Sequence, residues 1–256
     1  MTTKTIAITG ATGQFGAIAL DLLKAKQANI IALVRSPEKI SDVAARQFDY
    51  AKPEGQVEAL QGVDTLILVS SSEVGQRIQQ HKNVIEAAKK AGVKHIIYTS
   101  LLGATNDNTV KSLAGEHVET EAALKASGIT YTILRNGWYT ENYTASIPAA
   151  LANNAFYGSA KNGKISSVLR AELAEAAVNV ALSEGHENQT YELAGSTSWT
   201  LADLAAEISK QTGKDIPYVD IPAADYAAAL VQAGLDEGFA GLIAQWDVHA
   251  SNGALF

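Results

Sequence analysis

An open, doubly wound parallel α/β sheet carrying a smaller α/β capping lobe is the architecture this sequence predicts. Three observations lead there. Strand-like runs alternate with helix-length segments through the first half of the chain. Those runs are nearly unbroken in apolar and β-branched residues, which is how strands buried on both faces read. Past Arg135 the rhythm changes to an aromatic, amide-rich stretch with only short strand candidates.

The strand-like runs fall at 4–9, 29–35, 65–70, 94–100 and 129–135, and "TLILVS", "VKHIIYTS" and "ITYTILRN" carry the signal most clearly. Helix-length stretches at 76–92 and 113–128 lie between them. Each ends at a glycine, Gly92 or Gly128, that suits a helix C-cap. After "NGWYTENYTASIPAALANN", strands are predicted at 164–166 and 190–194, with a helix near 171–183 between them. "WTLADLAAEISKQTG" reads as a further helix, and the alanine-rich tail from Pro222 as helical with breaks at Gly234, Gly238 and Gly241. This order predicts a cofactor-binding domain over 1–135 that takes back about 171–195. The capping lobe is then 136–170 and 196–256.

A length of 256 residues fits that arrangement, and 47% hydrophobic with 18% charged residues gives an ample core. Net charge is −7 with no Lys/Arg cluster, so nucleic acid is not expected as a partner. The absence of cysteine excludes disulfides, Cys-ligated zinc and a thiol nucleophile. Four residues lead straight into the first strand without a leader pattern, and no apolar run approaches the length of a membrane span. The expectation is a cytoplasmic protein with no membrane insertion.

The chemistry starts at "TIAITGATGQFGAIALDLL", residues 5–23. A strand–turn–helix with glycines at spacing three has a mechanical use for each. Gly10 would make the tight turn, Gly13 admit a pyrophosphate to the backbone, and Gly16 let helix and strand pack closely. The helix N-terminus then offers N–H groups and partial positive charge to phosphates. An ordinary glycine-rich connection is the plainer alternative. Placement at the first such unit of a chain with this element order favours a dinucleotide, hence a Rossmann-type domain. Arg35 closes the second strand where an NAD binder carries an acid for the ribose hydroxyl, and no acid stands there. Either Arg35 is a solvated surface residue or it accepts a 2′-phosphate, the second implying NADP(H).

Taken together, "ITGATGQFG", "LVSSSEVGQR", "IIYTSLL" and "LRNGWYTENY" resemble the NmrA-like branch of the short-chain dehydrogenase/reductase superfamily. Within it the likeness is greatest to the bacterial type-2 NAD(P)H:quinone oxidoreductases, with the triphenylmethane reductases near relatives. It extends over essentially the whole chain, although the family usually continues past the position of Phe256. The resemblance assigns Gly10, Ala11, Thr12, Gly13, Gln14 and Phe15 to the pyrophosphate turn, closed by Gly16, and Arg35 to the 2′-phosphate. It sets Ser72, Glu73 and Val74 beside a cofactor ribose. Asn136, Gly137, Trp138, Tyr139, Thr140 and Glu141 would line the nicotinamide side, and Arg170 make a further cofactor contact. Independently of family, both loops are polar and follow parallel strands, where ligands of open α/β sheets sit.

Ordinary members of that superfamily use a Tyr-x-x-x-Lys pair as proton donor and its tuner, but here the sequence reads "LAGEHVETEAAL". His117 and Glu121 share a helix face. Either both are solvated, or His117 faces the cleft and relays a proton. Reducing a simple ketone makes an alkoxide that needs a positioned acid, worth about 10²–10⁴ in rate. Hydride addition to a quinone makes a delocalised, weakly basic phenolate that water can protonate. No essential catalytic acid is therefore expected, and the protein's task is to place the acceptor. Trp138, Tyr139 and Tyr143 could form a flat slot for a planar acceptor, or be core aromatics. Hydroxyls of Tyr98 and Ser100 could reach a substrate carbonyl, or be buried strand hydroxyls. His81, His95, His186 and His249 lack metal-ligand spacing, and no metal is expected.

The sequence thus predicts an NADPH-dependent oxidoreductase passing hydride directly to a quinone or similar conjugated acceptor, in a chain that could form a homodimer. The rival is a non-catalytic NADP(H)-binding redox sensor that regulates a partner protein.

Overall fold

The computed structural model describes residues 4–105 and 111–256. In chain order it opens with β1 (Thr5–Thr9), α1 (Gln14–Ala25), β2 (Asn29–Val34) and β3 (Ala44–Gln47). Next come α2 (Gln56–Ala59), β4 (Thr65–Leu68), α3 (Arg77–Ala91), β5 (His95–Leu101), α4 (Lys111–Ala126) and β6 (Thr130–Asn136). Then follow α5 (Glu141–Thr144), α6 (Ile147–Asn153), β7 (Phe156–Gly158), α7 (Arg170–Leu182) and β8 (Gln189–Leu193). The last elements are α8 (Leu201–Thr212), β9 (Tyr218–Asp220), α9 (Ala223–Gln232) and α10 (Glu237–Ser251). Among the described residues one compact unit takes 4–104, 112–136 and 170–193, and a second takes 105, 111, 137–169 and 194–256.

The first unit is a seven-stranded sheet in the order β3-β2-β1-β4-β5-β6-β8. Every neighbouring pair is parallel. Strand order reverses between β1 and β4, so the loops leaving those strands part and open a crevice at their carboxyl ends. All of β4 is buried, as is β5 up to its last residue. Leu66, Leu68, Ile96 and Ile133 pack against Val84 and Ala88 of α3 and Leu124 of α4. The apolar runs read as doubly covered strands because helices do cover both of their faces.

The second unit centres on β7, which pairs parallel with β9. Phe156, Ile165, Leu201, Ala205 and Ile208 form its core. α8 begins with a capping box in which the Thr200 hydroxyl accepts from the Asp203 amide and the Thr200 amide donates to the Asp203 carboxylate.

Two expectations are corrected, and one strand had not been expected. No strand forms at 164–166: Ile165 makes only an isolated bridge to Trp199, and the strand of this unit is β7. β3 escaped the sequence reading because "AARQ" is an edge strand with no buried residue, and so no apolar run to detect. In the tail, Gly238 and Gly241 lie within α10 rather than breaking it. No helix among the described residues is long and apolar enough to cross a membrane.

Candidate functional site

The turn after β1 is built as its glycines require. Gly10 sits at φ +60°, a conformation other residues adopt only with strain. The Gly13 amide donates to the Gly10 carbonyl at 2.8 Å and closes the turn. A Cβ on Gly16 would lie 2.1 Å from the Gly10 oxygen, so helix and turn approach closely only because it is glycine. A Cβ on Gly13 would meet the same oxygen at 3.2 Å. Gly13 is also the N-cap of α1, with no capping side chain and no acid in the first turn. The positive end of α1 therefore keeps its N–H groups for an anion. Thr12, Gly13 and Gln14 are exposed, whereas the Ala11 and Phe15 side chains are buried, leaving those two only their backbone to offer.

Arg35 follows β2 with its side chain exposed and unpaired among the described residues. The loop from β4 to α3 is pinned at its start by hydroxyls. Thr9 Oγ1 accepts from the Val69 amide at 2.9 Å, the Tyr50 hydroxyl lies within hydrogen-bond reach of both Thr9 Oγ1 and the Val69 carbonyl, and Thr99 Oγ1 accepts from the Ser70 amide at 2.8 Å. Further on, the Ser71 amide donates to His81 Nε2 at 2.9 Å. Ser72, Glu73 and Val74 remain exposed.

The helix face carrying His117 and Glu121 is not solvated; it is turned into the protein. His117 Nδ1 lies 2.7 Å from the Tyr98 hydroxyl, and both residues are buried. Burial, with the nearby Arg77 charge, pushes the His117 pKa down to about 3, so its imidazole is neutral near pH 7. Burial raises the Tyr98 hydroxyl well above the ordinary tyrosine value. Glu121 accepts from Ser100 Oγ at 2.7 Å and from Arg135 Nη2 at 2.9 Å. Burial alone would raise its carboxyl, but the hydrogen bonds from Arg135 and Ser100 bring it below the usual range. Tyr98, Ser100 and His117 thus each carry a hydrogen bond that fastens α4 to β5 and β6.

β6 ends at Asn136, 3% exposed, whose carbonyl accepts from the Leu102 amide. Its side-chain Nδ2 and Oδ1 are both buried without a hydrogen-bond partner among the described residues. Such an amide is costly unless something satisfies it. In the second unit, Gly137 and the residues after it run alongside Val168: the Val168 amide donates to the Trp138 carbonyl and the Thr140 amide to the Val168 carbonyl. Thr140 Oγ1 and Ser167 Oγ are 2.7 Å apart.

Of the expected aromatic slot, Tyr143 is a core residue, 8% exposed and edge-on to Trp199 at 5.2 Å. Trp138 stands edge-on to Trp246 at 5.1 Å, a partner the sequence reading missed. A ring held edge-on by a neighbour within a packed cluster is not a free flat face. Tyr139 is half-buried, as are Glu141 at the head of α5 and Arg170 at the head of α7. His81 and His95 are buried and hydrogen-bonded, to Thr120 and Thr132 respectively. Among the described residues no cluster of His, Asp or Glu could hold a metal ion.

Comparison with known proteins adds four likenesses. A family profile described as NAD(P)H-binding matches residues 10–184. Quinone oxidoreductase 2 of Escherichia coli (strain K12) is 54% identical over 98% of this chain and 90% of its own. The crystal structure of the NADPH-dependent quinone oxidoreductase of E. coli complexed with NADPH matches at TM-score 0.92 and 52% identity, covering 98% of this chain and 90% of that one. The Citrobacter sp. triphenylmethane reductase complexed with NADP(H) matches at TM-score 0.93 and 37% identity, over 98% and 91%.

Proposed function

This chain belongs to the NAD(P)H-binding family, and from that membership we propose an NADPH-dependent oxidoreductase whose acceptor is a quinone or a similarly conjugated planar molecule. The residues present fit the cofactor. The uncapped start of α1 suits a pyrophosphate, Arg35, unpaired among the described residues, a 2′-phosphate, and the Asn136 amide, unsatisfied among them, a group with both a donor and an acceptor. Ser72, Glu73 and Val74 would meet the ribose, the segment from Gly137 to Glu141 the nicotinamide side, and Arg170 a further part of the cofactor. NADPH, when bound, supplies the hydride.

The observation that carries the reading is the locked face of α4. His117 and Glu121 stand where a proton donor and its tuner are expected, and Tyr98, Ser100 and Arg135 hold both inward. A site without a committed acid suits an acceptor whose reduced form is a stabilised phenolate. It suits a ketone poorly. Steady-state NADPH oxidation against a panel of benzoquinones and naphthoquinones, with a simple ketone as control, tests this. Turnover of quinones and not of the ketone is expected; failure with every quinone overturns it. The cytoplasmic location and the homodimer expected from the sequence belong to the same proposal, and are checked by cell fractionation and by mass in solution.

A further inference from the structure

Arg77 and Glu116 form a buried ion pair that the chemistry above does not use. Arg77 Nη1 donates to Glu116 Oε2 at 2.6 Å, and its Nε donates to the Ser71 carbonyl at 2.6 Å. Glu116 Oε1 accepts from the Gly75 amide at 2.8 Å. One carboxylate on α4 thus grips the loop at both ends, at Gly75 directly and at Ser71 through Arg77. Between these anchors Glu73 Oε2 accepts from Gln80 Nε2 at 2.7 Å, while the apolar side chain of Val74 stays 50% exposed. The loop's shape is set by the protein itself. A buried ion pair is a weak source of stability, since apolar replacements of like volume are often no worse. A loop held in its binding shape, by contrast, saves ordering cost when a ligand arrives.

We propose that Glu116 is a positioning residue that presets the 71–76 loop and thereby sets affinity for the ribose–nicotinamide half of NADPH, leaving the adenosine half untouched. This rests on the reading that Ser72, Glu73 and Val74 lie beside the cofactor ribose. The adenosine half falls to the Gly10–Gly13 turn and Arg35, none of which is hydrogen-bonded to Glu116.

The test compares dissociation constants for NADPH and for adenosine 2′,5′-bisphosphate, which lacks the ribose–nicotinamide half, by titration calorimetry. The variants are Glu116→Gln, which keeps an acceptor for Gly75, and Arg77→Met/Glu116→Met, which removes both ties without stranding a charge. The double variant is expected to bind NADPH about tenfold more weakly, about 1.4 kcal/mol, with the bisphosphate changed by less than about twofold. Glu116→Gln, which keeps the Gly75 tie but leaves the Arg77 charge unpaired, should weaken NADPH binding in the same direction, again with the bisphosphate little changed. Parallel weakening of both ligands would mark a merely structural role, and unchanged NADPH affinity would mark none; either overturns the proposal. Amide hydrogen exchange over 71–76 in the unsubstituted protein separates the two readings. Without protection by NADPH the loop is no cofactor contact, and both fall. Protection with unchanged affinity in the double variant removes the positioning role alone.

Discussion

Arg35 stands exposed just past β2 with no carboxylate paired to it among the described residues, so none of those competes for its guanidinium. A charge-assisted contact to a phosphate is worth about 1.5–3 kcal/mol. Arg35→Ala should therefore weaken NADPH binding by about tenfold or more and leave NADH nearly unchanged. Equal NADPH and NADH affinities in the unsubstituted protein would refute the assignment. His117 is governed by the opposite condition, burial. With its pKa at about 3 it carries no proton to give near neutrality. His117→Ala should lower kcat by less than about tenfold and leave the pH profile between about 5.5 and 8.5 unchanged in shape, short of the 10²–10⁴ for a lost general acid. A thousandfold drop with NADPH binding intact would make His117 the acid after all.

For the elements, the junction of β1 and α1 separates fold from function within a single glycine triplet. Gly16→Ala must drive a methyl against the Gly10 carbonyl carbon and oxygen, backbone atoms that cannot swing aside. Overpacking of this kind costs about 1–3 kcal/mol, and a fixed backbone neighbour puts it at the upper end. Gly13→Ala, at 3.2 Å from that oxygen, asks a shift of only a few tenths of an ångström and should lower the unfolding temperature less than Gly16→Ala does, yet bind NADPH more weakly, because its methyl occupies the phosphate's approach. Thermal unfolding and titration calorimetry on both variants decide this; a Gly13→Ala protein with native affinity would remove the pyrophosphate assignment. This junction was legible in the sequence because each glycine serves a local need. β3 was not, since its only signature is pairing with β2, and "AARQ" has no apolar period to show it. The i,i+4 spacing of His117 and Glu121 revealed a shared face but not where it points. Polar residues usually mark a solvated face; here Tyr98, Ser100 and Arg135 lie on strands far off in sequence and satisfy them inside. Arg77 did carry a signal. A cation opening a helix opposes the helix dipole and implies a compensating anion, which is Glu116.

Across the molecule, buried histidines and a buried carboxyl should respond to acid with opposite sign. The first unit holds three buried histidines whose pKa values are pushed down mainly by burial: His81 and His117 to about 3 and His95 to about 4, from an ordinary 6.5. Between those values and 6.5 the unfolded chain binds more protons than the folded one, so stability is lost as pH falls below about 6.5. Going from pH 7 to about 5.5 removes about 4 kcal/mol from the three together. In the second unit, burial raises the Asp247 carboxyl from 3.8 to about 6. There the folded form binds the extra proton, so the same change of pH adds about 1 kcal/mol from Asp247, offset in part by His249, whose pKa burial lowers. The balance is a loss large enough, against a total of about 5–15 kcal/mol, to move the melting temperature of the first unit down by about 10 °C. Calorimetry at pH 7 and pH 5.5, with hydrogen exchange to assign each transition to its unit, measures it. His95→Gln keeps a hydrogen-bonding side chain at Thr132 but cannot titrate, and should shrink the acid loss by about a third. A first unit that melts at the same temperature at both pH values would mean that its histidines are not held neutral by burial.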